Sequence, residues 1–325
     1  MKNYVLFDVA EGTQNLGDYI IMKCIMEEMD FLFKGNFLTH FSTHTPIARS
    51  YQNIRKNMAS RACDNADKKF ICGASTLKMS LLRISPDWNI NCFNTKYYKE
   101  SIAIGIGTDT NSKHMDLYTK NIYKKIFSKK YIHSVRDERT KKILESFGVK
   151  AINTGCPTIW KLTPEACEKI RQTKANSVVF TLTFYKKDIN RDQELINILQ
   201  KNYKEVYFWV QGSEDYEYFK SFKNIDGIKI VDPTLEAYEK ILKKDDIEYV
   251  GTRLHAGIYA MRHNVRSIIV SIDNRAKDMV ETYNLNTIDR NNMKKLEKKI
   301  NSKFKTDVRI NTNAINEWKK QFLGE

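Results

Sequence analysis

The densest group of chemically capable residues is the run Gly251–Gly257, which contains an arginine and a histidine two positions apart. Arg253 supplies a permanent cation, and His255 supplies a group that titrates near neutral pH. The run follows a predicted strand, and a helix is predicted at 255–263, so His255 falls at a helix N-terminus, where backbone N–H groups attract anions. We therefore predict an anion pocket, with a capping histidine beside a surface arginine as the alternative. The pocket residues are Gly251, Thr252, Arg253 and His255.

A second group, Ser134–Asp137, lies between the predicted strand 131–135 and the predicted helix 138–147. Ligands of open α/β sheets bind outside the carboxyl ends of the strands. Arginine pairs in bidentate fashion with carboxylate and phosphate, so Arg136 is a candidate anion ligand, with Ser134 beside it. The alternative is that Arg136 pairs with an acidic neighbour and fastens a loop.

A third group, Asn15–Asp18, follows the predicted strand 4–9 and precedes a helix. Gly17 in such a turn lets backbone N–H groups point at a ligand. Asp18 is either an ordinary N-cap or a general base. The candidate contacts in this turn are Asn15, Gly17 and Asp18.

Patterns for cofactors and metals are missing from the sequence. The glycines after two predicted strands, at 72–75 and 105–107, complete neither the dinucleotide-binding fingerprint nor a P-loop. His40 and His44 are four residues apart, but no carboxylate or cysteine stands near them at metal-ligand spacing. We therefore expect no metal site and no cofactor, and we interpret every histidine except His255 as structural or surface. The six cysteines are expected to be free thiols.

The elements that must position these groups alternate between short apolar strands and amphipathic helices. Strands are predicted at 4–9, 69–72, 101–106, 131–135, 150–153, 177–183, 205–210, 228–231, 247–250 and 266–272. Helices are predicted after Asp18 and near 115–127, 138–147, 191–202, 234–243, 255–263 and 275–283. This alternation predicts parallel sheets covered by helices.

The length of 325 residues and two such series predict two doubly wound α/β domains facing a cleft. We expect Pro164 to open the first helix of the second domain. Trp318 and Phe322 stand four residues apart, so one face of a terminal helix should pack back onto the body. The predicted boundaries are 1–163 for an N-terminal Rossmann-like domain, 164–290 for a C-terminal one and 291–325 for a helical tail.

The composition is basic, with 54 Lys+Arg against 39 Asp+Glu and a formal net charge of +15. The lysine pairs are scattered, which is typical of solvated helix faces, and no nucleic-acid-binding module is present. We therefore expect no nucleic-acid partner. No apolar run is long enough to span a membrane, and the N-terminus does not match a signal peptide. These features predict a cytoplasmic protein.

Taken in the order in which they occur along the chain, the three groups resemble the polysaccharide pyruvyl transferase family. That family shows an N-terminal Asn-x-Gly-Asp turn, a central Ser-Val-Arg-Asp followed by a helix and a glycine (here Gly148), and a C-terminal Arg-Leu-His. Strand 266–272, with Asp273 and Lys277 after it, also resembles the family, and the resemblance covers about residues 3–285. The chain departs from the family pattern at Cys72–Ser75, at Cys156-Pro157 and at Thr140.

The resemblance implies a fold similar to the B-type glycosyltransferases, with the acceptor on the N-terminal side and the donor on the C-terminal side. The implied donor is phosphoenolpyruvate. The implied product is a sugar of a cell-surface polysaccharide, such as an exopolysaccharide or a capsule, or of its precursor, carrying a pyruvate ketal. Arg136 and Arg253 would hold the donor's carboxylate and phosphate. His255 would stabilise the departing phosphate or protonate the methylene carbon, and Asp18 would act as general base.

Three points stay open at this stage. A sugar-nucleotide glycosyltransferase of the same fold and a non-catalytic glycan-binding relative are the rival interpretations. The acceptor is either free or lipid-linked, and a lipid-linked acceptor would bring the basic protein to an anionic surface at the inner face of the membrane. The segment 36–66 is the candidate acceptor loop, and the sequence indicates neither the acceptor sugar, the ketal stereochemistry nor the oligomeric state.

Overall fold

The computed structural model describes residues 1–48, 50–53, 57–82, 88, 90–108, 114–272 and 282–324. The chain divides into two compact units, each built from separate stretches of sequence. Unit 1 comprises residues 1–13, 21–160 and 311–325, and unit 2 comprises residues 14–20 and 161–310. Asp273, Lys277 and most of the predicted helix 275–283 lie outside the described residues.

Unit 1 contains six strands and seven helices among its described residues. The strands are β1 (Asn3–Asp8), β2 (Phe37–Ser42), β3 (Lys68–Cys72), β4 (Ser101–Ile104), β5 (His133–Val135) and β6 (Ala151–Asn153). The helices are α1 (Leu16–Glu28), α2 (Asp30–Phe33), α3 (Met58–Asp64), α4 (Thr95–Tyr98), α5 (Leu117–Ile126), α6 (Glu138–Glu145) and α13 (Thr312–Lys320). Single 3-10 turns lie at Ser50–Asn53 and Pro157–Ile159. The first residues of α1, through Ile20, group with unit 2.

The strands of unit 1 pair in parallel in the order β2-β1-β3-β4, beside the parallel pair β5-β6. Every residue of β3 is buried, and so is all of β1 after its first residue, as is typical of parallel strands covered on both faces of the sheet. The chain leaves β1 for β2 on one side and returns to β3 on the other. The carboxyl end of β1 is therefore a topological switch point, the position at which such sheets bind ligands.

His133 joins β5 to β4 through its side chain. Its Nδ1 accepts a hydrogen bond from the Ala103 N–H at 3.1 Å, and its Nε2 donates to the Ser128 carbonyl at 2.9 Å. Both bonds require a neutral ring that carries its proton on Nε2. Burial lowers the pKa of His133 to about 4, so this histidine is structural, as expected.

Unit 2 contains six strands and six helices among its described residues. The strands are β7 (Ser177–Phe180), β8 (Glu205–Trp209), β9 (Lys229–Val231), β10 (Ile247–Gly251), β11 (Ser267–Ser271) and β12 (Thr287–Asp289). The helices are α7 (Pro164–Glu168), α8 (Ile189–Asn202), α9 (Ser213–Lys220), α10 (Leu235–Leu242), α11 (Leu254–Arg262) and α12 (Met293–Ile300), with a 3-10 turn at Phe184–Lys186. Pro164 opens α7 as expected, after the N-cap Thr163.

The strands of unit 2 form one parallel sheet in the order β12-β11-β10-β7-β8-β9. The chain builds outward from β7 through β8 and β9, then returns to lay β10 on the other side of β7. The loops that follow β7 and β10 therefore flank a second switch point. The candidate anion pocket of the sequence follows β10 directly.

The predicted tail 291–325 is divided between the two units. Helix α12 belongs to unit 2, where Met293, Leu296 and Ile300 join the core that covers the sheet. Arg266, fully buried, holds the end of this helix by donating from Nη2 to the carbonyl of Ile300 at 3.0 Å and to those of its neighbours.

Helix α13 belongs to unit 1 and packs through the face that the sequence indicates. Trp318 is completely buried and donates from Nε1 to the carbonyl of Ile132 at 2.8 Å. Phe322 lies 5.8 Å, between ring centroids, from both Phe70 and Tyr131. The C-terminal residues thus complete the core of the N-terminal unit, whereas the predicted boundaries kept them apart as one tail.

All ten predicted strands are present, and two further strands, β2 and β12, were missed. Both lie at a sheet edge, where one side has no partner strand in the described sheet. Residues of β2 are mostly exposed or half-buried, so the apolar run that marks the buried strands is weak there. All six cysteines are free thiols, five of them buried and Cys92 exposed. In the described parts of the chain, no helix is both long and apolar enough to cross a membrane.

The neutral ring of His133 predicts a specific pH dependence of stability. An unfolded histidine takes up a proton near its ordinary pKa of 6.5, whereas the folded ring resists protonation down to about 4. The neutral ring therefore contributes its full stabilisation to the folded state above pH 6.5, and this stabilisation is lost as the pH falls from 6.5 to about 4. Relative to a His133→Gln variant, we expect the wild type to lose up to about 3 kcal/mol of unfolding free energy across the window.

Denaturant titrations between about pH 7.5 and about pH 4 measure this difference. A His114→Gln variant is the control, because His114 is exposed and its replacement should leave the pH profile of the wild type unchanged. Identical profiles for wild type and His133→Gln would contradict the assignment of a neutral ring.

Candidate active site

The run Gly251–His255 stands at the switch point of unit 2, at the crossing from β10 to α11. Gly251 ends the strand in close contact with the neighbouring strand, because a Cβ there would lie 2.6 Å from Thr181 Oγ1 and 2.7 Å from Tyr249 Oη. Only glycine permits that approach. Thr252 is 6% exposed, and its hydroxyl lies 2.8 Å from that of Thr183, so this predicted ligand residue already bonds within the protein.

Arg253 is the centre of this crossing, and its guanidinium is paired with an aspartate. Its Nη2 donates to both carboxylate oxygens of Asp215, at 2.7 and 2.6 Å, and its Nε donates to Asp215 at 3.2 Å and to the Leu182 carbonyl at 3.1 Å. The arginine side chain is 7% exposed and the aspartate 1%. Arg253, which the sequence predicts to bind an anion, is thus already paired with a buried carboxylate of the protein, and its ligand role stays a prediction.

The remaining nitrogen of this guanidinium, Nη1, makes no hydrogen bond within the described part of the chain. The ring of Tyr185 lies 5.1 Å from the guanidinium carbon, within range of a cation–π contact. Arg253 therefore keeps one donor for a ligand.

Asp215 joins the loops that follow three different strands. It lies in the first turn of α9, after β8, and it also accepts a hydrogen bond from the Phe184 N–H, after β7, at 3.0 Å. Burial raises the pKa of Asp215, and Arg253 acts in the opposite direction. Sequence reasoning missed this residue; the available signal was an acidic pair, Glu214 and Asp215, at a helix start after a strand.

His255 is the second residue of α11 and is half-buried. The N-cap residue Arg253 makes no side-chain capping bond, so the first N–H groups of this helix are not satisfied by the residue before them. A titratable ring at an uncapped helix start is the arrangement that the sequence predicted.

The turn Asn15–Asp18 groups with unit 2, although the sequence assigned it to the N-terminal domain. Leu16 N–H donates to the Gln211 carbonyl at 2.9 Å, and Gln211 Nε2 donates to Asn15 Oδ1 at 3.2 Å. The absence of a side chain at Gly17 gives Gln211 its space, since a Cβ would lie 2.9 Å from Gln211 Nε2. The turn therefore docks on the loop that follows β8.

Asp18 is not the N-cap of α1, because the helix begins at Leu16 and Asp18 is its third residue. Asn15 precedes the helix and brackets the turn: its Oδ1 accepts from Gly17 N–H at 3.1 Å, and its Nδ2 donates to Asp18 at 3.0 Å. Asp18 is half-buried. The general-base interpretation stays a prediction, and the capping interpretation is wrong.

The first and third sequence groups are therefore neighbours in unit 2. Gln211 contacts Asn15, and the next residue, Gly212, lies where a Cβ would be 3.4 Å from both Arg253 Nη2 and Asp215 Oδ2. We refer to Asn15, Gln211, Asp215 and Arg253 as the unit 2 cluster. Within the described residues, the buried Oε1 of Gln211 has no hydrogen-bond partner, so the cluster contains an unsatisfied acceptor, which is a cost to stability.

The second sequence group lies in unit 1, where Arg136 fastens loops. Its Nη2 donates to Ser75 Oγ at 3.0 Å and to the Thr108 carbonyl at 3.1 Å, and its Nε lies 3.6 Å from Asp137. Gly107 makes room for this side chain, because a Cβ there would lie 2.0 Å from Arg136 Nε. The loop-fastening alternative has direct geometric support, and the ligand role stays a prediction.

Ser134 is fully buried and bonds within unit 1. Its hydroxyl accepts from Gly105 N–H at 2.9 Å and lies 2.6 Å from Thr154 Oγ1. Asp137 caps α6 by accepting from Thr140 N–H at 2.7 Å. Ser134 is thus placed to hold strand ends together, and in this conformation a donor molecule cannot reach it.

A comparison with known families tests the resemblance that the three groups indicate. The family model of the polysaccharide pyruvyl transferases matches residues 15–274, which cover most of the chain and include all three sequence groups. The chain belongs to this family. Membership makes it a transferase, as the resemblance implied.

Solved structures of other proteins are similar to the structure of this pyruvyl transferase family member. S. aureus MnaA in its UDP co-structure has a TM-score of 0.56 at 10% identity, over 100% of this chain and 98% of that chain. Methanocaldococcus jannaschii UDP-GlcNAc 2-epimerase, in complex with UDP-GlcNAc and UDP, has a TM-score of 0.53 at 13% identity, over 99% of each chain. The likeness confirms the predicted fold class of Rossmann-like α/β units, as in the B-type glycosyltransferases. Among curated proteins, no match to the chain is found.

The buried ion pair predicts a large effect of Asp215→Asn on stability. The substitution leaves the Arg253 guanidinium buried without its counter-charge, and we expect a loss of about 3 to 5 kcal/mol of unfolding free energy. Denaturant titration measures it. The double variant Asp215→Asn/Arg253→Gln should recover part of this loss, because it removes the buried charge.

The control is Glu194→Gln, which breaks an exposed ion pair with Arg191 in the same unit. That change should cost less than about 1 kcal/mol, as is usual for exposed pairs. Equal losses for Asp215→Asn and Glu194→Gln would show that the buried pair does not hold the loops.

Proposed function

We propose that the chain transfers pyruvate from phosphoenolpyruvate to two hydroxyls of a sugar, forming a ketal and releasing phosphate. The observation that carries this proposal is the family match over residues 15–274. The unit 2 cluster supports it, because it gathers two of the family's motifs at a sheet switch point, where α/β proteins bind ligands. The acceptor would be a sugar of a cell-surface polysaccharide or of its precursor.

The donor needs groups that bind a carboxylate and a phosphate. In unit 2 these are the free Nη1 of Arg253, the uncapped start of α11 and the imidazole of His255. The proposal does not depend on Arg136, which lies in unit 1. The transfer needs no redox cofactor.

The reaction begins with addition to the double bond of phosphoenolpyruvate. His255, as imidazolium, donates a proton to the methylene carbon, and the first sugar hydroxyl oxygen bonds to carbon 2. The proton of that hydroxyl passes to Asp18 as general base.

Displacement of phosphate then closes the ketal. The second hydroxyl oxygen bonds to the same carbon as the carbon–oxygen bond to phosphate breaks, and phosphate leaves with the electron pair. The proton of the second hydroxyl leaves with it. A proton returned from Asp18 to His255 through solvent restores both groups.

Ligand-induced stabilisation tests the choice of donor, because a molecule that binds only the native state raises its melting temperature. The panel is phosphoenolpyruvate, uridine- and guanosine-diphosphate sugars, and inorganic phosphate. A shift specific to phosphoenolpyruvate supports the proposal. A shift with a nucleotide sugar instead would make the protein a glycosyltransferase, and glycan binding without turnover would make it a non-catalytic relative.

We expect His255→Gln to lower acceptor-dependent phosphate release from phosphoenolpyruvate by at least about 100-fold, as is typical for the loss of a general acid. His255 is half-buried, so the melting temperature should change little. This position is a cleaner test than Arg253→Ala, which also removes the partner of a buried carboxylate.

His263→Gln is the matched control, since His263 lies at the other end of α11 and contacts the Tyr259 carbonyl. It should keep full activity. The product should be a sugar heavier by one pyruvate less one water. Near-normal turnover by His255→Gln would remove this residue from the mechanism.

A further inference from the structure

A histidine and two carboxylates converge in unit 1, outside all three sequence groups. Asp8 is the last residue of β1, Glu11 lies in the loop that follows it, and His40 lies in β2. One potential metal-ligand atom from each lies within 4.8 Å of the other two. The group therefore stands at the carboxyl end of β1, the switch point of the unit 1 sheet.

Hydrogen bonds to the backbone fix the positions of both acidic residues. Asp8 Oδ1 accepts from the Ala10 N–H at 2.7 Å, and the Asp8 carbonyl accepts from the Thr43 N–H at 3.1 Å. Ser42 Oγ donates to the Glu11 carbonyl at 2.6 Å. The loop after β1 is therefore tied to the end of β2, and these bonds leave Asp8 Oδ2 and the Glu11 carboxylate for other partners.

The charge balance of this group is unusual for such a basic chain. Asp8 is 3% exposed, and within the described residues neither it nor Glu11 makes an ion pair with any lysine or arginine. Among the described side chains, the partner of Asp8 is the imidazole of His40, whose Nδ1 lies 2.6 Å from Asp8 Oδ2. Two carboxylates this close repel each other unless a positive charge lies between them.

The donor set matches the preferences of first-row divalent cations. Imidazole nitrogen with carboxylate oxygens binds Zn²⁺ and its neighbours, and three protein ligands leave a position open for water or substrate. The Ala10 N–H on the second oxygen of Asp8 is the kind of outer contact that orients a metal-binding carboxylate.

We propose that Asp8, Glu11 and His40 bind a divalent transition-metal cation such as Zn²⁺. On binding, the hydrogen bond between His40 and Asp8 is replaced by two metal–ligand bonds, and the proton on His40 Nδ1 is released to solvent.

No local pattern in the sequence marks this site, because Asp8, at the end of β1, and Glu11, in the loop after it, precede His40 by about thirty residues, with Asp8 separated from His40 by 32 positions. His44, four residues after His40, contacts the Val9 carbonyl. The proposal is independent of the pyruvyl transfer, which it neither requires nor supports.

Titration with Co²⁺ alone tests the site, because the visible absorption of this ion changes with its ligands. All titrations use protein with the substitution Cys92→Ser, because the exposed thiol of Cys92 would also bind these metals. Calorimetry with Zn²⁺ gives the stoichiometry of binding. We expect one equivalent to bind, with affinity reduced by about 100-fold or more in His40→Gln and in Asp8→Asn. The affinity should be unchanged in His114→Gln, which controls for binding to an exposed imidazole.

Glu11→Gln keeps the test decisive if the buried Asp8 variant fails to fold, because Glu11 is exposed and its replacement should weaken binding without lowering the metal-free melting temperature. Absence of a one-equivalent site in the wild type would overturn the proposal. Unchanged Co²⁺ spectra in His40→Gln would overturn it as well, and would leave Asp8 and His40 as a hydrogen-bonded pair only.

Discussion

The buried contact between Arg253 and Asp215 organises the carboxyl edge of the unit 2 sheet. The loops that follow parallel strands all lie at the carboxyl edge of the sheet. Hydrogen bonds between the strands do not fix the position of one loop relative to the next. A guanidinium has five donors in a rigid plane. Here the donors on Nε and Nη2 bind a carboxylate after β8 and a carbonyl after β7, while the backbone of Arg253 itself follows β10. The turn before α1 then docks on the same assembly through Gln211.

Unit 1 uses the same solution with another arginine. Arg136 follows β5 and bonds to residues that follow β3 and β4. In both units the arginine that sequence reasoning assigned to a ligand also holds neighbouring loops at fixed distances. An anion site at the edge of a parallel sheet needs loops that do not move apart. Within the described residues of unit 2, Arg253 fixes the loops through Nε and Nη2 and makes no hydrogen bond through Nη1.

The features that could be predicted from the sequence are those that depend on the pattern of neighbouring residues in the chain. Buried strands are apolar on consecutive residues, so all ten were located, and the three motifs were placed correctly at strand ends or helix starts. Contacts between residues far apart in the chain left no local trace. Arg253 was visible, but its neutralisation by Asp215, 38 positions earlier, was not. The docking of Asn15 on Gln211, 196 positions away, was equally hidden, and so the turn was assigned to the other domain.

The division of the chain also bears on how such proteins change in evolution and in the laboratory. Unit 1 needs the last fifteen residues, since Trp318 is completely buried within it, and unit 2 needs residues 14–20. Neither unit is therefore encoded by one continuous stretch of gene. Exchanging a unit between two relatives would therefore take several crossovers instead of one.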